Sequence, residues 1–136
     1  MRLIIAGSRT IADRAEVAQA VKAALRTWGG GRLPTTVLSG DAKGVDRLGA
    51  AWAREHRIPV EVFLPDWARY GRVGPKNAGY RRNEEMAKCA DALVAIWDGK
   101  SQGTAHMLLC MQRLGKPTWT HLVKQGGPMA SVEALL

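Results

Sequence analysis

The chain is poor in cysteine. Cys89 and Cys110 are its only two, and no set of partners stands around them at metal-ligand spacing. That excludes a disulfide-dense secreted scaffold and a Cys-based structural metal site, and no metal is expected. One bridge between the two stays open. Two reduced thiols in a cytoplasmic compartment is the plainer reading. No apolar run approaches the roughly 20 residues of a membrane span. The run Arg2-Leu3-Ile4-Ile5-Ala6 is too short for a leader and meets Gly7-Ser8-Arg9 at once, so neither a signal peptide nor membrane attachment is expected. Aromatics make up 6% of the residues, and five of them are Trp. The chain contains no G-x-G-x-x-G fingerprint and no G-x-x-x-x-G-K-[ST] loop, so NAD binding of the usual kind and a Walker-type ATPase are not supported, and no cofactor is predicted. Its three histidines, His56, His106 and His121, form no metal set, and His106 reads as a surface or packing group. Acidic residues are also scarce: 12 against 20 Lys and Arg give a formal net charge of +8. Such a surplus favours anionic partners such as nucleotides or nucleic acid.

The 136 residues are enough for one domain with a core of its own. The pattern assigns residues 1–123 to that domain and 124–136 to a tail or short helix. Leu3-Ile4-Ile5-Ala6 reads as a strand buried on both faces. Asp13 and Glu16 have capping-box spacing before a helix whose face carries Val17, Val21, Ala24, Leu25 and Trp28. Gly29-Gly30-Gly31 stops it. Thr36-Val37-Leu38 is a second strand, followed by a helix presenting Val45, Leu48, Gly49 and Trp52. Val60-Glu61-Val62-Phe63 alternates as a third strand. Residues 65–79 read as a long loop. A helix is predicted from about Tyr80 to Cys89. Ala92 to Trp97 is the most apolar strand, a helix runs from Thr104 to Leu114, and Thr118 to Leu122 alternates as the last strand.

Strands alternating with helices predict an α/β fold with a five-stranded parallel sheet in a three-layer α/β/α sandwich. Strands one and four are apolar on both faces and belong in the centre, while three and five alternate and belong at the edges. Order 3-2-1-4-5 follows, a Rossmann-like sheet with its crevice beyond the carboxyl ends of strands one and four. The helix from Thr104 to Leu114 is apolar around most of its circumference, which predicts a homo-oligomer interface.

The small and polar residues converge on that crevice. Ser39-Gly40-Asp41-Ala42-Lys43-Gly44-Val45-Asp46 runs from a strand end through two glycines into a helix, where backbone N–H groups form a cradle for an anion. Asp46 reads either as a partner for a ribose hydroxyl or as a favourable carboxylate in the first helical turn. Gly7-Ser8-Arg9 follows strand one, and Arg9 or Ser8 there points to a phosphate or base. Arg82 offers a planar fork for phosphate, and Asn83 an amide for a base edge or ribose. Arg81 and Arg82 project roughly 100° apart on a helix, so only one of them faces the crevice. Asp98 through Thr104, with Ser101 and Gly103, makes a second potential phosphate cradle.

Together, G-S-R, S-G-x-A-x-G-x-D, R-N-x-x-M and D-G-x-S-x-G-T, in this order over about residues 2–120, resemble the SLOG superfamily, most closely its bacterial and phage branch of YspA-type (YpsA-related) domains. The resemblance implies a Rossmann-like fold and a nucleotide or nucleotide-derived ligand. The residues carried over are Gly7, Ser8, Arg9, Ser39, Gly40, Ala42, Gly44, Asp46, Arg82, Asn83, Met86, Asp98, Ser101, Gly103 and Thr104. The superfamily's phosphoribohydrolases, the "lonely guy" enzymes, carry P-G-G-x-G-T-x-x-E. Here Met107 stands at the position of that glutamate, and a thioether is no general base. Three functions are therefore expected, in this order: binding or sensing of a nucleotide-type ligand; hydrolysis of a nucleoside 5′-monophosphate at its N-glycosidic bond, with Glu84, Glu85, Asp98 or Asp46 as carboxylate; and single-stranded nucleic-acid binding. The last is what the DNA-processing protein A branch does. Here it would use Arg69, Arg72, Lys76, Arg81, Arg82 and Lys88 with Trp67, Tyr70 and Tyr80.

Overall fold

The computed structural model describes residues 1–70 and 77–124. The expectation for the tail lies outside the described residues from 125 onward. Strand β1 (Arg2–Gly7) is followed by α1 (Arg14–Gly29), β2 (Thr36–Ser39), α2 (Val45–Glu55), β3 (Val60–Val62), α3 (Trp67–Tyr70), α4 (Asn77–Cys89), β4 (Ala92–Trp97), α5 (Gln102–Arg113) and β5 (Thr118–Leu122). All four pairings are parallel and the order is β3-β2-β1-β4-β5, as the burial pattern predicts.

Period-two alternation sorts the side chains of β1 onto two cores. Leu3 and Ile5 join Val17, Val21, Leu25, Val45 and Ala53 under α1 and α2. Ile4 and Ala6 join Met86, Ala87, Met107 and Met111 under α4 and α5. Since Leu3, Ile4 and Ile5 are fully buried, β1 has no solvated face, and its unbroken apolar run follows from that. The edge strands expose more: Val62 is 45% exposed on β3 and Leu122 62% on β5. Helix α2 lies close against β1 at Gly49, where a Cβ would sit 2.5 Å from Ile5 Cγ2.

Several boundaries differ from expectation. Asp13 does cap α1, accepting from the Ala15 N–H at 2.9 Å. Glu16 does not complete a capping box, because its carboxylate meets His121 Nε2 of β5 at 2.6 Å. Gly30 ends the helix in the left-handed region at φ 76, as its sequence suggests. The stretch read as one long loop holds the short helix α3, and α4 begins at Asn77 rather than Tyr80. Gly79 lies within that first turn and masked the start. Helix α5 begins at Gln102, capped by the Ser101 hydroxyl, which accepts from the Thr104 N–H at 3.4 Å. The apolar surface of α5 is largely consumed within the chain. Met107, Leu108, Cys110 and Met111 are buried, leaving Leu109 at 40% exposure on α5 and Leu114 just beyond it at 46%. Both cysteines are free thiols, Cys89 exposed and Cys110 buried. No helix among the described residues is long and apolar enough to cross a membrane.

Candidate functional site

The carboxyl ends of β1, β2 and β4 meet where the sheet order reverses, and glycines let them meet closely. A Cβ on Gly7 would run into the carbonyl of Ile96 on β4 and lie 2.9 Å from Val45 Cγ2. Gly44, at φ +78, sits against the carbonyls of Ser8 and Arg9. Ser8 is fully buried and knots the three elements. Its N–H donates to the Ile96 carbonyl at 3.1 Å, its carbonyl accepts from the Val45 N–H at 3.3 Å, and its hydroxyl accepts from the Asp98 N–H at 2.9 Å.

The turn after β2 is braced by its own side chains. The Ser39 hydroxyl donates to the Asp46 carbonyl at 3.2 Å and accepts from the Asp41 N–H at 3.1 Å. Asp41 takes φ 58, a left-handed position that costs an L-residue about 1 kcal/mol or more. The Ala42 N–H donates to Asp46 Oδ2 at 3.3 Å. Gly40 leaves room for two charged groups, since a Cβ there would lie 2.8 Å from Asp46 Oδ2 and 2.9 Å from Arg82 Nη1.

The opposite wall comes from α4 and α5. Arg82 Nη1 donates to the Gly40 carbonyl at 2.8 Å and its Nε to Asn83 Oδ1 at 3.2 Å. Asn83 Nδ2 donates to the Gly103 carbonyl at 3.2 Å and lies 3.2 Å from His106 Nδ1. Arg81 turns away, toward Glu84 and the Tyr70 ring, as the helical angle requires. After β4, Asp98 Oδ1 accepts from the N–H groups of Lys100 (2.8 Å) and Ser101 (2.9 Å).

Burial governs the electrostatics. Desolvation pushes the Asp46 carboxyl up to about 6, against the Ala42 N–H and the charges of Arg82 and Arg9, which hold it down. Burial lowers the Arg82 pKa, opposed by Asp46 and reinforced by Arg9. At Asp98, burial pushes upward but is outweighed by the Lys100 and Ser101 N–H groups and the Ser8 hydroxyl, so the carboxyl is held below its ordinary range. Ser8, Ser39, Asp46, Asn83 and Thr104 are the buried polar or charged residues among those described, and all five belong to these walls. A cavity of about 70 Å³ opens between them.

Of the residues expected at the crevice, Gly7, Arg9, Ala42 and Asp46 line this cavity from one side. Arg82, Asn83, Met86, Ser101, Gly103 and Thr104 line it from the other. Ser8, Ser39, Gly40, Gly44 and Asp98 stand behind that lining and shape its turns. Glu84 and Glu85 line a different hollow, with Asp66, Arg69 and Tyr70. Met107, at the position the resemblance gives to the phosphoribohydrolase glutamate, also lines the cavity, and so does Ala6, unforeseen because it reads as core. His106, the one histidine expected near the crevice, reads as a surface or packing group. It contacts Asn83 and stacks on Tyr80, with ring centroids 4.0 Å apart. No sequence spacing points to that contact, because Asn83 and His106 lie on different helices. Of the basic region, Arg72 and Lys76 lie outside the described residues. Tyr70 carries Arg69 and Arg81 over its ring, while Trp67 is 55% exposed.

Comparison with known proteins agrees with this architecture. The family model described as "YspA, cpYpsA-related SLOG family" matches residues 1–70. The Gene 61 protein of Mycobacterium phage D29 is 34% identical over 122 residues, covering 85% of this chain and 92% of that protein. No solved structure matches the chain. The turn after β1, the Ser39–Asp46 cradle and the 3-2-1-4-5 sheet thus accompany a relationship over most of the chain's length, and the chain belongs to the YspA, cpYpsA-related SLOG family.

Proposed function

We propose that the cleft between the β1, β2 and β4 turns binds a nucleotide or nucleotide-derived ligand. The observation that carries this reading is that every buried polar or charged side chain among the described residues lies in these walls. Burying a carboxylate beside two guanidinium groups costs free energy that a merely structural turn has no reason to bear. Arg82, pinned on Gly40 and Asn83, offers its remaining N–H groups to a phosphate in a fixed direction, and Arg9 adds charge. Asp46 accepts from a ribose hydroxyl. Membership of a SLOG family supports the same class of ligand.

The test is thermal unfolding with a panel of adenine nucleotides and ADP-ribose. A ligand present at a hundredfold its Kd adds about 2.7 kcal/mol, which for a chain of this size raises Tm by about 10 °C. Arg82→Ala abolishes the rise. A panel that leaves Tm unchanged at millimolar concentration refutes the proposal.

A second reading is hydrolysis of a nucleoside 5′-monophosphate. It is favoured by Asp46, whose carboxyl is pushed up to about 6 and so is able to exchange protons near neutral pH. In this reading Asp46 replaces the glutamate whose place Met107 occupies. Free adenine appearing from AMP, lost in Asp46→Asn, selects hydrolysis over binding alone.

A further inference from the structure

We propose that His106, acting through Asn83, is a positioning residue that fixes the direction of Arg82 in the cleft and does so only while its ring is neutral. The proposal deepens the nucleotide-binding reading and takes its functional meaning from it.

The argument is one of hydrogen-bond sense. Arg82 Nε can only donate, so the atom of Asn83 facing it at 3.2 Å must be the amide oxygen. The Gly103 carbonyl can only accept, so the amide nitrogen must face it, also at 3.2 Å. Both ends of the Asn83 side chain are thereby assigned without reference to His106. The same amide nitrogen lies 3.2 Å from His106 Nδ1, which must therefore be the unprotonated, accepting nitrogen. The proton then resides on Nε2; the Cys110 sulfur, 3.6 Å from Nε2 and 3.8 Å from Nδ1, does not discriminate between the two nitrogens. A single tautomer satisfies the whole chain from Gly40 through Arg82 and Asn83 to His106.

Protonating His106 breaks that chain. Two donors then face each other at 3.2 Å, and turning the Asn83 amide over does not help, because it would put NH₂ against Arg82 Nε and the oxygen against the Gly103 carbonyl. The amide must give way, and Arg82 keeps only its bond to Gly40. The groups around the ring bear on this in opposite directions. Burial disfavours the imidazolium, Glu84 of α4 favours it, and Arg113 of α5 disfavours it, with a net lowering of the pKa. The Tyr80 ring of α4 covers the other face. The ring is thus held neutral at pH 7 and takes its proton only at a lower pH than an ordinary imidazole.

The experiment has a ligand-free arm and a ligand arm. In the first, the side-chain Nε–H of Arg82 and Nδ2–H₂ of Asn83 are followed by ¹⁵N NMR while the protein is titrated downward from about pH 8 until the His106 ring has taken its proton. The wild-type signals move with the His106 ring titration. In His106→Gln, which keeps an accepting oxygen that does not titrate, the Asn83 movement disappears and Arg82 keeps only the part that follows its neighbour Asp46. Arg82 and Asn83 signals indifferent to His106 overturn the proposal. In the second arm ADP-ribose is the probe, because its diphosphate diester does not change charge in this range. Wild-type affinity falls about tenfold more than that of His106→Gln over the same interval, the effect of losing one hydrogen bond to a charged group. Equal falls in the two proteins count against any control of affinity by His106. A positive NMR result without ADP-ribose binding at any pH upholds the relay while removing ADP-ribose as a ligand of the cleft.

Discussion

Asp46→Asn will make this protein more stable at neutral pH. The fold lifts the Asp46 carboxyl from 3.8 to about 6, chiefly by burying it. At about 1.4 kcal/mol for each tenfold change in acidity, native packing disfavours the charged form by about 3 kcal/mol. The sign follows from proton counting. Between these two values the native protein holds a proton that the unfolded chain has released, so stability falls as pH rises through the window, and the cost is complete above it. Asparagine keeps the shape and cannot ionise. Its gain at about pH 7.5 approaches 3 kcal/mol, less what is lost where the amide meets the Ala42 N–H. With a urea m-value of about 2 kcal/mol/M, the unfolding midpoint rises by about 1 M. Urea curves recorded from about pH 4 to pH 8 for both proteins give the answer as a difference, which cancels every other titrating group. The gap must close as pH falls below the window. An Asn variant less stable than wild type at neutral pH, or a gap that does not change with pH, refutes the reasoning. ADP-ribose binding measured on the same variant should weaken, which would identify the carboxylate as a group kept at the expense of stability.

Two further predictions concern packing and the β4 turn. Gly49→Ala, which in an exposed helix would gain up to about 1 kcal/mol, here destabilises by about 1–3 kcal/mol because the new methyl group meets Ile5 on a strand with no room to retreat; a melting temperature equal to or above wild type would contradict the packing described. Asp98→Asn lowers stability near neutral pH, because the carboxyl is held below its ordinary range by the N–H groups of Lys100 and Ser101. That contribution is present above the unfolded-state value and lost as pH falls through the folded one. A wild-type-minus-variant difference that does not shrink in acid would exclude this account.

The sheet order was legible because burial writes itself into the strands. Strands covered on both faces, such as β1 and β4, carry no polar residue at their fully buried positions, whereas β3 and β5 admit Glu61 and His121. The cleft turns were legible for a related reason: glycine and serine recur where backbones approach within contact distance. Long-range polar partners were not. Glu16 stands at capping-box spacing, yet a histidine 105 positions away claims its carboxylate. His106 is marked as close to the crevice by its place just after Gly103-Thr104, but its partner Asn83 is 23 residues away on another helix. Local spacing reports on turns and faces. It carries no information about which side chains the helices bring together across the sheet.

Strands β1 and β4 pair over five residues, from Leu3 opposite Ala92 to Gly7 opposite Ile96. They are neighbours in the sheet although β2 and β3 intervene in the chain. Their junction divides the molecule into an N-terminal half carrying Arg9 and Asp46 and a C-terminal half carrying Arg82, Asn83 and Thr104. The cavity straddles that junction, so neither half owns it. A molecule held there acts as a clasp between two half-sheets, and its binding free energy is also free energy of association. Two fragments divided in the connection after α3 would therefore reassemble more tightly in its presence, which makes the fold a natural candidate for a split reporter of whatever occupies the cleft.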